Sequence, residues 1–291
     1  MPDFNPMLLR HMLALRQFPM FATAELAELA TVAENVVETS FRAGEVVASA
    51  AAMLPGLHLV LDGRIDAGRA WGARDIFGAL EVLAGRRAVT AGVAAIETHT
   101  LHLSATDLFE VLEDNAGVLR SVVRELAARM LAAAPTTVAP PPPPCLGGPL
   151  GLVERLIVLR QQVPFVGARL QGLAALAHAS DEVSWPAGTV VVRAGEPAPG
   201  SSLVIAGRLR ERWDDGTSRE LGAGHMIGGL ETLAGIGHAG TIETTTPVRA
   251  LATSATTILD VLEDHPDVGV SMLSAFARAL LDSPARARVG L

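Results

Sequence analysis

Residue types that could carry out acid–base or metal chemistry are present, but their spacing indicates structural roles. Adjacent carboxylates on a predicted helix are typical of a solvent-exposed face. The two such pairs are Glu113 with Asp114 and Glu263 with Asp264. The histidines of the strand-like segments, His58, His99 and His102, lack the spacing of zinc ligands. Because no Ser-His-Asp arrangement and no G-x-S-x-G motif is recognisable, we predict no catalytic residues, no metal site and no cofactor.

The elements that would position any site follow from an internal repeat. Over the first part of each copy, a residue aligns without gaps with the residue 144 positions later. Identities at this offset include Leu15 with Leu159, Phe21 with Phe165, Gly63 with Gly207 and Arg64 with Arg208. Further on the offset is 150, and Leu80, Glu81 and Leu83 align with Leu230, Glu231 and Leu233. The second copy therefore has a longer hairpin, marked by the turn signal Asp215-Gly216.

A proline-rich segment separates the two copies. It contains five consecutive prolines, which cannot continue a helix or enter a central strand and instead form a semi-rigid spacer. We therefore predict a first domain at 1–134, a linker at 135–149 and a second domain at 150–291. The single cysteine, Cys145, lies in this linker and cannot form an intrachain disulfide.

The composition excludes several classes of partner. The net charge of −8 gives no general attraction to nucleic acid or to an anionic membrane surface. No segment is apolar for long enough to predict a membrane span or a signal peptide, and a cytoplasmic location fits a fold without disulfides. Hydrophobic residues make up 49% of the chain and charged residues 19%, so some apolar surface is expected to be covered by a partner.

Each copy has the same predicted order of elements. An opening helix is followed by short β-type runs, which in the first copy fall at 36–41, 45–48, 57–61, 88–93 and 101–103. Each copy closes with a long amphipathic helix, predicted at 107–132 and at 257–281. Since both helices carry an apolar stripe, we expect a homodimer in which one or both pack against a symmetry mate.

These motifs carry a family resemblance. The first copy contains FRAGEVV, LHLVLDGRI, FGALEVLAGRRAVTA and ATDLFEVLED, and the second contains WPAGTVV, SLVIAGRL, MIGGLETLAGIGHAGT and ATTILDVLED. The ordered set resembles the cyclic-nucleotide-binding domains of the bacterial catabolite activator protein and the protein kinase A regulatory subunit. The resemblance implies a mainly β fold with flanking α-helices. Specifically, it implies two cyclic-nucleotide-binding-type antiparallel β-rolls, jelly-roll-like, in tandem.

The resemblance also implies a phosphate-binding cassette in each copy. In this family a glycine opens a short helix whose amides approach the cyclic phosphate, the next residue is a carboxylate that accepts from the ribose, and an arginine beyond the helix pairs with the phosphate. In the first copy the glycine is Gly78, the carboxylate position holds Ala79, and Arg87 matches the arginine, with Arg86 as a substitute. The cassette predicted from the resemblance comprises Gly78, Ala79, Leu80, Arg86, Arg87, Ala88 and Thr90.

The second copy departs further from the family pattern. Gly229 occupies the carboxylate position and His238 occupies the arginine position, ten residues after Gly228, whereas Arg87 follows Gly78 by nine. A neutral imidazole donates one hydrogen bond and lacks the permanent charge of a guanidinium. The corresponding cassette residues are Gly228, Gly229, Leu230, His238 and Thr241.

Two functions follow from the resemblance. The first is a non-enzymatic sensor that binds cAMP or cGMP, in the first domain rather than the second, and signals to a separate effector protein. The residues after Leu281 are too few for the DNA-binding or catalytic domain that accompanies this fold elsewhere. The alternative is a degenerate copy of the fold that has lost its ligand and acts as a protein–protein interaction scaffold.

Overall fold

A computed structural model describes residues 5–133 and 148–283. The predicted linker, except 148–149, and Cys145 lie outside the described residues. The helices of the first copy are α1 (Pro6–Leu15), α2 (Leu29–Asn35), α3 (Ala79–Ala84), α4 (Ala105–Asp114) and α5 (Ala116–Ala133). Its strands are β1 (Val37–Phe41), β2 (Val46–Ala48), β3 (Gly56–Asp62), β4 (Ile65–Asp66), β5 (Ala70–Trp71), β6 (Ile76–Phe77), β7 (Gly92–Ala94) and β8 (Thr98–Ser104).

The second copy repeats this order of elements. Its helices are α6 (Leu152–Arg160), α7 (Leu170–His178), α8 (Gly229–Ala234), α9 (Ala255–Asp264) and α10 (Pro266–Asp282). Its strands are β9 (Asp181–Trp185), β10 (Val190–Val192), β11 (Gly200–Ala206), β12 (Arg208–Arg212), β13 (Ser218–Gly222), β14 (Met226–Ile227), β15 (Thr241–Thr244) and β16 (Val248–Ser254). A short 3₁₀ helix follows the opening helix in each copy, at Pro19–Phe21 and Val163–Phe165.

Each copy folds its strands into two antiparallel four-stranded sheets. In the first copy the strand orders are β1-β8-β3-β6 and β2-β7-β4-β5. In the second they are β9-β16-β11-β14 and β10-β15-β12-β13, which is the same topology strand for strand. Two facing antiparallel sheets followed by helices form a β-roll, so the predicted fold is confirmed in both copies.

The closing helix of each copy is interrupted, which corrects the single helices predicted at 107–132 and 257–281. Ser104 caps α4 by accepting a hydrogen bond from the amide of Asp107 at 3.1 Å. Asn115 then breaks the helix, and its side-chain oxygen accepts from the amide of Val118 at 3.1 Å. In the second copy the break falls before Pro266, the first residue of α10, a position that suits proline.

The apolar stripes of these helices are buried within a single chain. The buried members in α5 are Val118, Leu119, Val122, Val123, Leu126 and Met130, and those in α10 are Val268, Met272, Leu273, Phe276 and Leu280. An interface between two chains needs such residues to be exposed in one chain. These stripes therefore give no support to the expected homodimer contact.

The chain divides into two compact units that differ from the two sequence copies. The first unit consists of Met1–Leu126 together with Leu273–Leu291, and the second consists of Ala127–Met272. The divisions thus fall inside α5 and α10. The predicted domain boundaries describe the repeat in the sequence, and as domain boundaries they stay a prediction.

Candidate functional site

The short helices α3 and α8 begin at the two glycines singled out in the sequence. Gly78 and Gly228 have φ values of +85° and +72°, a left-handed conformation that favours glycine. A Cβ atom on Gly78 would lie 2.7 Å from a methyl group of Leu54. On Gly228 it would lie 2.6 Å from the carbonyl oxygen of Gly200. Both helices therefore depend on a glycine for their position in the roll.

The residue after each glycine carries no carboxylate. Ala79 and Gly229 are both buried, as is Leu80, whereas Leu230 is half-buried. The nearest acidic residue along each helix is Glu81 or Glu231. Neither stands at the position that accepts from a ribose in the family pattern, so this hydrogen bond is missing from both cassettes.

Backbone hydrogen bonds settle which residue of the first copy corresponds to His238. The His238 amide donates to the Glu196 carbonyl, and its carbonyl accepts from the Gly195 amide. In the first copy the same two bonds, to the residues 144 positions earlier, are made by Ala88 with Ala52 and Ala51.

Isolated β-bridges agree with this alignment, because Met53 pairs with Arg87 where Pro197 pairs with Gly237. Arg87 is thus the counterpart of Gly237. Within the repeat, Ala88 is the counterpart of His238, and the assignment of the arginine position to Arg87 stays a prediction.

Both arginines beyond α3 are exposed and make other contacts. Arg87 donates from Nη1 to the carbonyl oxygen of Ala51 at 2.9 Å. Arg86 forms a bidentate pair with Asp282, which belongs to the same compact unit, with 2.9 Å between Nη2 and Oδ2. These hydrogen bonds raise the pKa of Arg86 and lower the pKa of Asp282. Thr90 is also exposed.

In the second copy, His238 is buried within a group of charged side chains. Its Nε2 lies 3.2 Å from Oε1 of Glu231, and its Nδ1 lies 3.0 Å from the carbonyl oxygen of Gly240 and 3.7 Å from Oε1 of Glu211. Glu211 is itself buried and accepts from Nε of Arg219 at 2.6 Å. Two carboxylates therefore flank the position at which the family pattern places a cation for the phosphate. The hydroxyl of Thr241 accepts a hydrogen bond from the amide of Ala194 at 3.2 Å, so it already has a partner within the domain.

The first copy fills the corresponding end of its roll with aromatic side chains. The rings of Trp71 and Phe77 meet edge to face, with centroids 5.7 Å apart. Gly92 gives Phe77 its space, because a Cβ atom on Gly92 would lie 2.6 Å from the ring. The guanidinium of Arg69 stacks on Trp71, with 3.5 Å between its carbon and the ring centroid.

Sequence reasoning missed four of these residues, namely Arg69, Trp71, Glu211 and Arg219. All four lie in the hairpin where the repeat offset changes, so alignment of the copies does not reveal them. The signal that could have found Glu211 is the alternation of β12, in which Leu209 and Glu211 share one face of the strand. A glutamate two residues from a buried leucine is predicted to point inward.

The histidines of the first copy have structural partners. His58 is buried, its Nδ1 lies 3.1 Å from Oγ1 of Thr100, and its ring meets Phe41 edge to face and lies at an angle to the ring of His102. Burial, together with His102, lowers the pKa of His58 to about 4. His99 contacts Ser40 at 2.8 Å. In residues 5–133 and 148–283, no group of histidine, cysteine and acidic residues is arranged to hold a metal ion.

Comparison with known proteins finds one matching family model and several similar solved structures. Residues 182–265 match the family model described as Cyclic nucleotide-binding domain. No curated protein matches the sequence. Among solved structures, the chain is similar to cAMP-bound PfPKA-R, with 12% identity over 97% of this chain and 93% of that chain, and a TM-score of 0.41.

The chain is also similar to two further solved structures. The regulatory subunit of a cAMP-independent protein kinase A from Trypanosoma cruzi, bound to guanosine, is 16% identical over 97% of this chain and 95% of that chain, with a TM-score of 0.36. The N-terminal domain of a transcriptional regulator from Streptomyces coelicolor A3(2) is 27% identical over 44% of this chain and 94% of that chain, with a TM-score of 0.39.

The strand topology and the family model together define the class. Residues 182–265 of the second copy match the cyclic nucleotide-binding domain model, and the first copy has the same strand order and the same glycine-initiated short helix. The chain therefore has the fold of two cyclic-nucleotide-binding-type β-rolls in tandem. None of the helices in the described part of the chain is both long and apolar enough to cross a bilayer.

Proposed function

We propose that this chain is a regulatory module whose two cassettes have lost cyclic-nucleotide recognition and that it acts by contact with a separate effector protein. One observation carries the proposal. Backbone hydrogen bonds align Ala88 of one roll with His238 of the other, where His238 lies between two carboxylates, so neither of these aligned positions holds an arginine. A scaffold needs the shape of the fold and does not need these anchors.

In the second roll, electrostatics disfavour a phosphate. An anion placed beside His238 would also face Glu211 and Glu231, whose carboxylates lie 3.7 and 3.2 Å from the ring nitrogens. Like charges brought together where water is excluded repel strongly, because the local dielectric is low. The imidazole already has acceptors at both nitrogens, so a phosphate would have to displace existing partners.

In the first roll, two polar anchors are absent from their positions. Ala79 replaces the ribose-binding carboxylate and Ala88 replaces the phosphate-binding arginine, and both alanines are buried. A charge-assisted hydrogen bond contributes about 1.5–3 kcal/mol, so each loss weakens binding roughly ten- to a hundred-fold. The two losses together remove most of the affinity of an intact cassette.

A cyclic-nucleotide sensor in the first roll is the second candidate. The observation that favours it is the presence of two exposed cations, Arg86 and Arg87, just beyond α3. The Arg86–Asp282 pair is exposed to solvent, and an exposed ion pair contributes little stability, so a phosphate could replace Asp282. On this alternative, Arg87→Ala would weaken binding and His238→Ala would leave it unchanged.

Thermal unfolding of the full chain with and without cAMP or cGMP tests the proposal. A ligand present at 100 times its dissociation constant adds about 2.7 kcal/mol to the unfolding free energy, which raises the melting temperature by a few degrees. We expect no shift with millimolar cAMP or cGMP beyond that caused by the same concentration of AMP. A saturable shift with either cyclic nucleotide, abolished by Arg87→Ala, would instead support the sensor.

The oligomeric state and the cellular location of the chain are also proposals. A homodimer, if formed, has to use surfaces other than the buried stripes of α5 and α10, and light scattering at micromolar concentration measures this. A cytoplasmic location is supported by the single cysteine in the chain.

A further inference from the structure

The opening helix of the second roll, α6, has an exposed apolar face. Val153 is 63% exposed and Ile157 is 48% exposed, and because they are four residues apart they lie on one side of the helix. Val158 and Leu159, on the other side, are buried, and α6 packs on α7. Neighbouring apolar side chains on an exposed helix face are typical of a surface that another protein covers.

The charges that flank this face are opposite in sign. Glu154 lies three residues before Ile157, in the first turn of α6, and Arg160 lies three residues after it, in the last turn. Both side chains are exposed. Nη1 of Arg160 donates to carbonyl oxygens of the turn that follows, among them those of Phe165 and Ala168, which holds the side chain in place. These bonds use one end of a guanidinium that has five N–H donors.

A helix face with an apolar centre and opposite charges at equal distances from it is complementary to itself in antiparallel orientation. If Ile157 packs against Ile157 of a second copy, Glu154 stands level with Arg160 of that copy, and Arg160 stands level with its Glu154. At the interaxial distance of packed helices, about 8–10 Å, both pairs are within reach of a salt bridge. A two-fold axis forms the same pair twice.

The equivalent face of the first roll lacks this complementarity. At the repeat offset of 144, Ile157 corresponds to Leu13 of α1, which is 51% exposed. The flanking positions hold Arg10 and Arg16, and both are exposed. Two antiparallel α1 helices would therefore place arginine against arginine, whereas two α6 helices place glutamate against arginine. The charges thus favour a second copy on α6 and disfavour one on α1.

We propose that α6 is the homodimer interface of this chain. The α6 helices of two copies pack antiparallel about a two-fold axis beside Ile157, and Glu154 of each copy pairs with Arg160 of the other. A single helix pair is a small interface, so we expect a dimer that forms at micromolar concentration and dissociates on dilution. The inference names a surface for the homodimer proposed above, and it does not depend on whether the chain binds a cyclic nucleotide.

Disulfide cross-linking tests the geometry, because only residues beside a two-fold axis meet their own copies. Helices about 8–10 Å apart place the two Cα atoms of residue 157 about 5 Å from each other, a separation that a disulfide spans. The full chain with Cys145→Ser and Ile157→Cys is oxidised, and the covalent dimer is measured on a non-reducing gel. Leu13→Cys in the same background is the matched control. We expect Ile157→Cys to give mostly covalent dimer and Leu13→Cys to stay mostly monomeric.

Light scattering of the full chain over a dilution series tests the charges. Glu154→Arg places arginine against Arg160 of the second copy, as α1 would, and should weaken the dimer about tenfold or more. Glu154→Gln removes the attraction without adding repulsion and should weaken the dimer less. Glu34→Arg makes the same charge change at an exposed position of α2 and should leave dimerisation unchanged.

A chain that stays monomeric up to submillimolar concentration would overturn the inference. So would equal cross-linking through Ile157→Cys and Leu13→Cys, or a dimer that Glu154→Arg weakens no more than Glu34→Arg does. Circular dichroism checks that each variant folds, and if Glu154→Arg does not, Glu154→Gln and the cross-linking decide the question. A separate titration with cAMP bears only on the proposed loss of ligand recognition, so the two ideas can fail independently.

Discussion

The two rolls share one topology and reach a filled interior by different means. In the second roll, charged side chains fill this region: Glu211 and Glu231 lie around His238, and Arg219 forms an ion pair with Glu211. The first roll is closed by aromatic packing, with Phe77 occupying the space left by the missing side chain of Gly92. The comparison teaches that one backbone topology accepts either charged or aromatic side chains in this region, provided that they fill the available volume.

The largest expected difference between the rolls is their response to acid. The pKa of His58 falls from 6.5 to about 4 on folding, so the unfolded state takes up a proton first as the pH drops. Stability from this residue is complete above pH 6.5, declines as the pH falls from 6.5 to about 4, and is constant below. The full effect is about 3 kcal/mol.

The counterpart of His58 in the second roll is Ser202, so this acid sensitivity belongs to the first roll. Urea unfolding of the wild type and His58→Gln at pH 7 and pH 4 measures it. The variant should lose less stability than the wild type between these two values. Equal losses in both proteins would show that His58 does not titrate in this way.

The next effect compares the two cassette glycines. Gly228→Ala should destabilise by about 3 kcal/mol, because the left-handed φ is unfavourable for alanine and the new Cβ meets the rigid carbonyl of Gly200. Gly78→Ala should cost about 1–2 kcal/mol, since the closest atom to its Cβ is a movable methyl group of Leu54. Chemical denaturation gives both values.

The matched control for the glycine series is Gly188→Ala. This glycine has a φ of +80° and no atom within 4 Å of the added Cβ, so only the conformational cost applies. If Gly228→Ala lowers the free energy of unfolding no more than Gly188→Ala does, the close approach to Gly200 does not contribute to the loss of stability.

The charged group of the second roll is tested by Glu211→Ala. Removing the buried carboxylate takes away the partner of Arg219 and leaves His238 beside Glu231 alone, with an expected loss of about 2 kcal/mol. Glu220→Ala is the control, because this glutamate is exposed on the neighbouring strand and should change stability by about 0.5 kcal/mol or less. Equal effects of the two substitutions on the denaturation midpoint would contradict the account.

The smallest effect concerns the aromatic packing of the first roll. Gly92→Ile forces its side chain against Phe77, whereas Phe77→Ile leaves a gap. Together they recreate the pair that the second roll has in Ile227 and Ile242. In a double-mutant cycle the combination should be less destabilising than the sum of the single changes by about 1 kcal/mol. If the two effects are additive, the side chains at positions 77 and 92 do not compete for the same space.

The fold could be predicted from the sequence because its determinants are local and repeated. Glycines at fixed offsets, such as Gly63 and Gly207, mark the turns between strands, and the apolar pattern between them fixes which face is buried. The break at Asn115 was missed because the apolar stripe continues through it. A capping asparagine interrupts the backbone without interrupting the pattern of buried residues.

The site could be predicted only in part. The two glycines and the missing carboxylates could be identified from the sequence, but the residue of the first copy that corresponds to His238 could not. A loop can take up a single-residue difference anywhere between Gly85 and Ala88, and only the hydrogen bonds to Ala51 and Ala52 locate it. The pairing of Arg86 with Asp282 spans 196 residues, so no local pattern predicts it.

Calorimetric titration of the full chain with cAMP tests the central claim most directly. The claim is that the first roll does not bind cAMP because Ala79 and Ala88 supply neither a carboxylate nor a guanidinium. The wild type should release no heat of binding, whereas the double variant Ala79→Glu with Ala88→Arg, which restores both anchors, should bind. Saturable binding by the wild type, with an affinity that the double variant does not improve, would contradict the account.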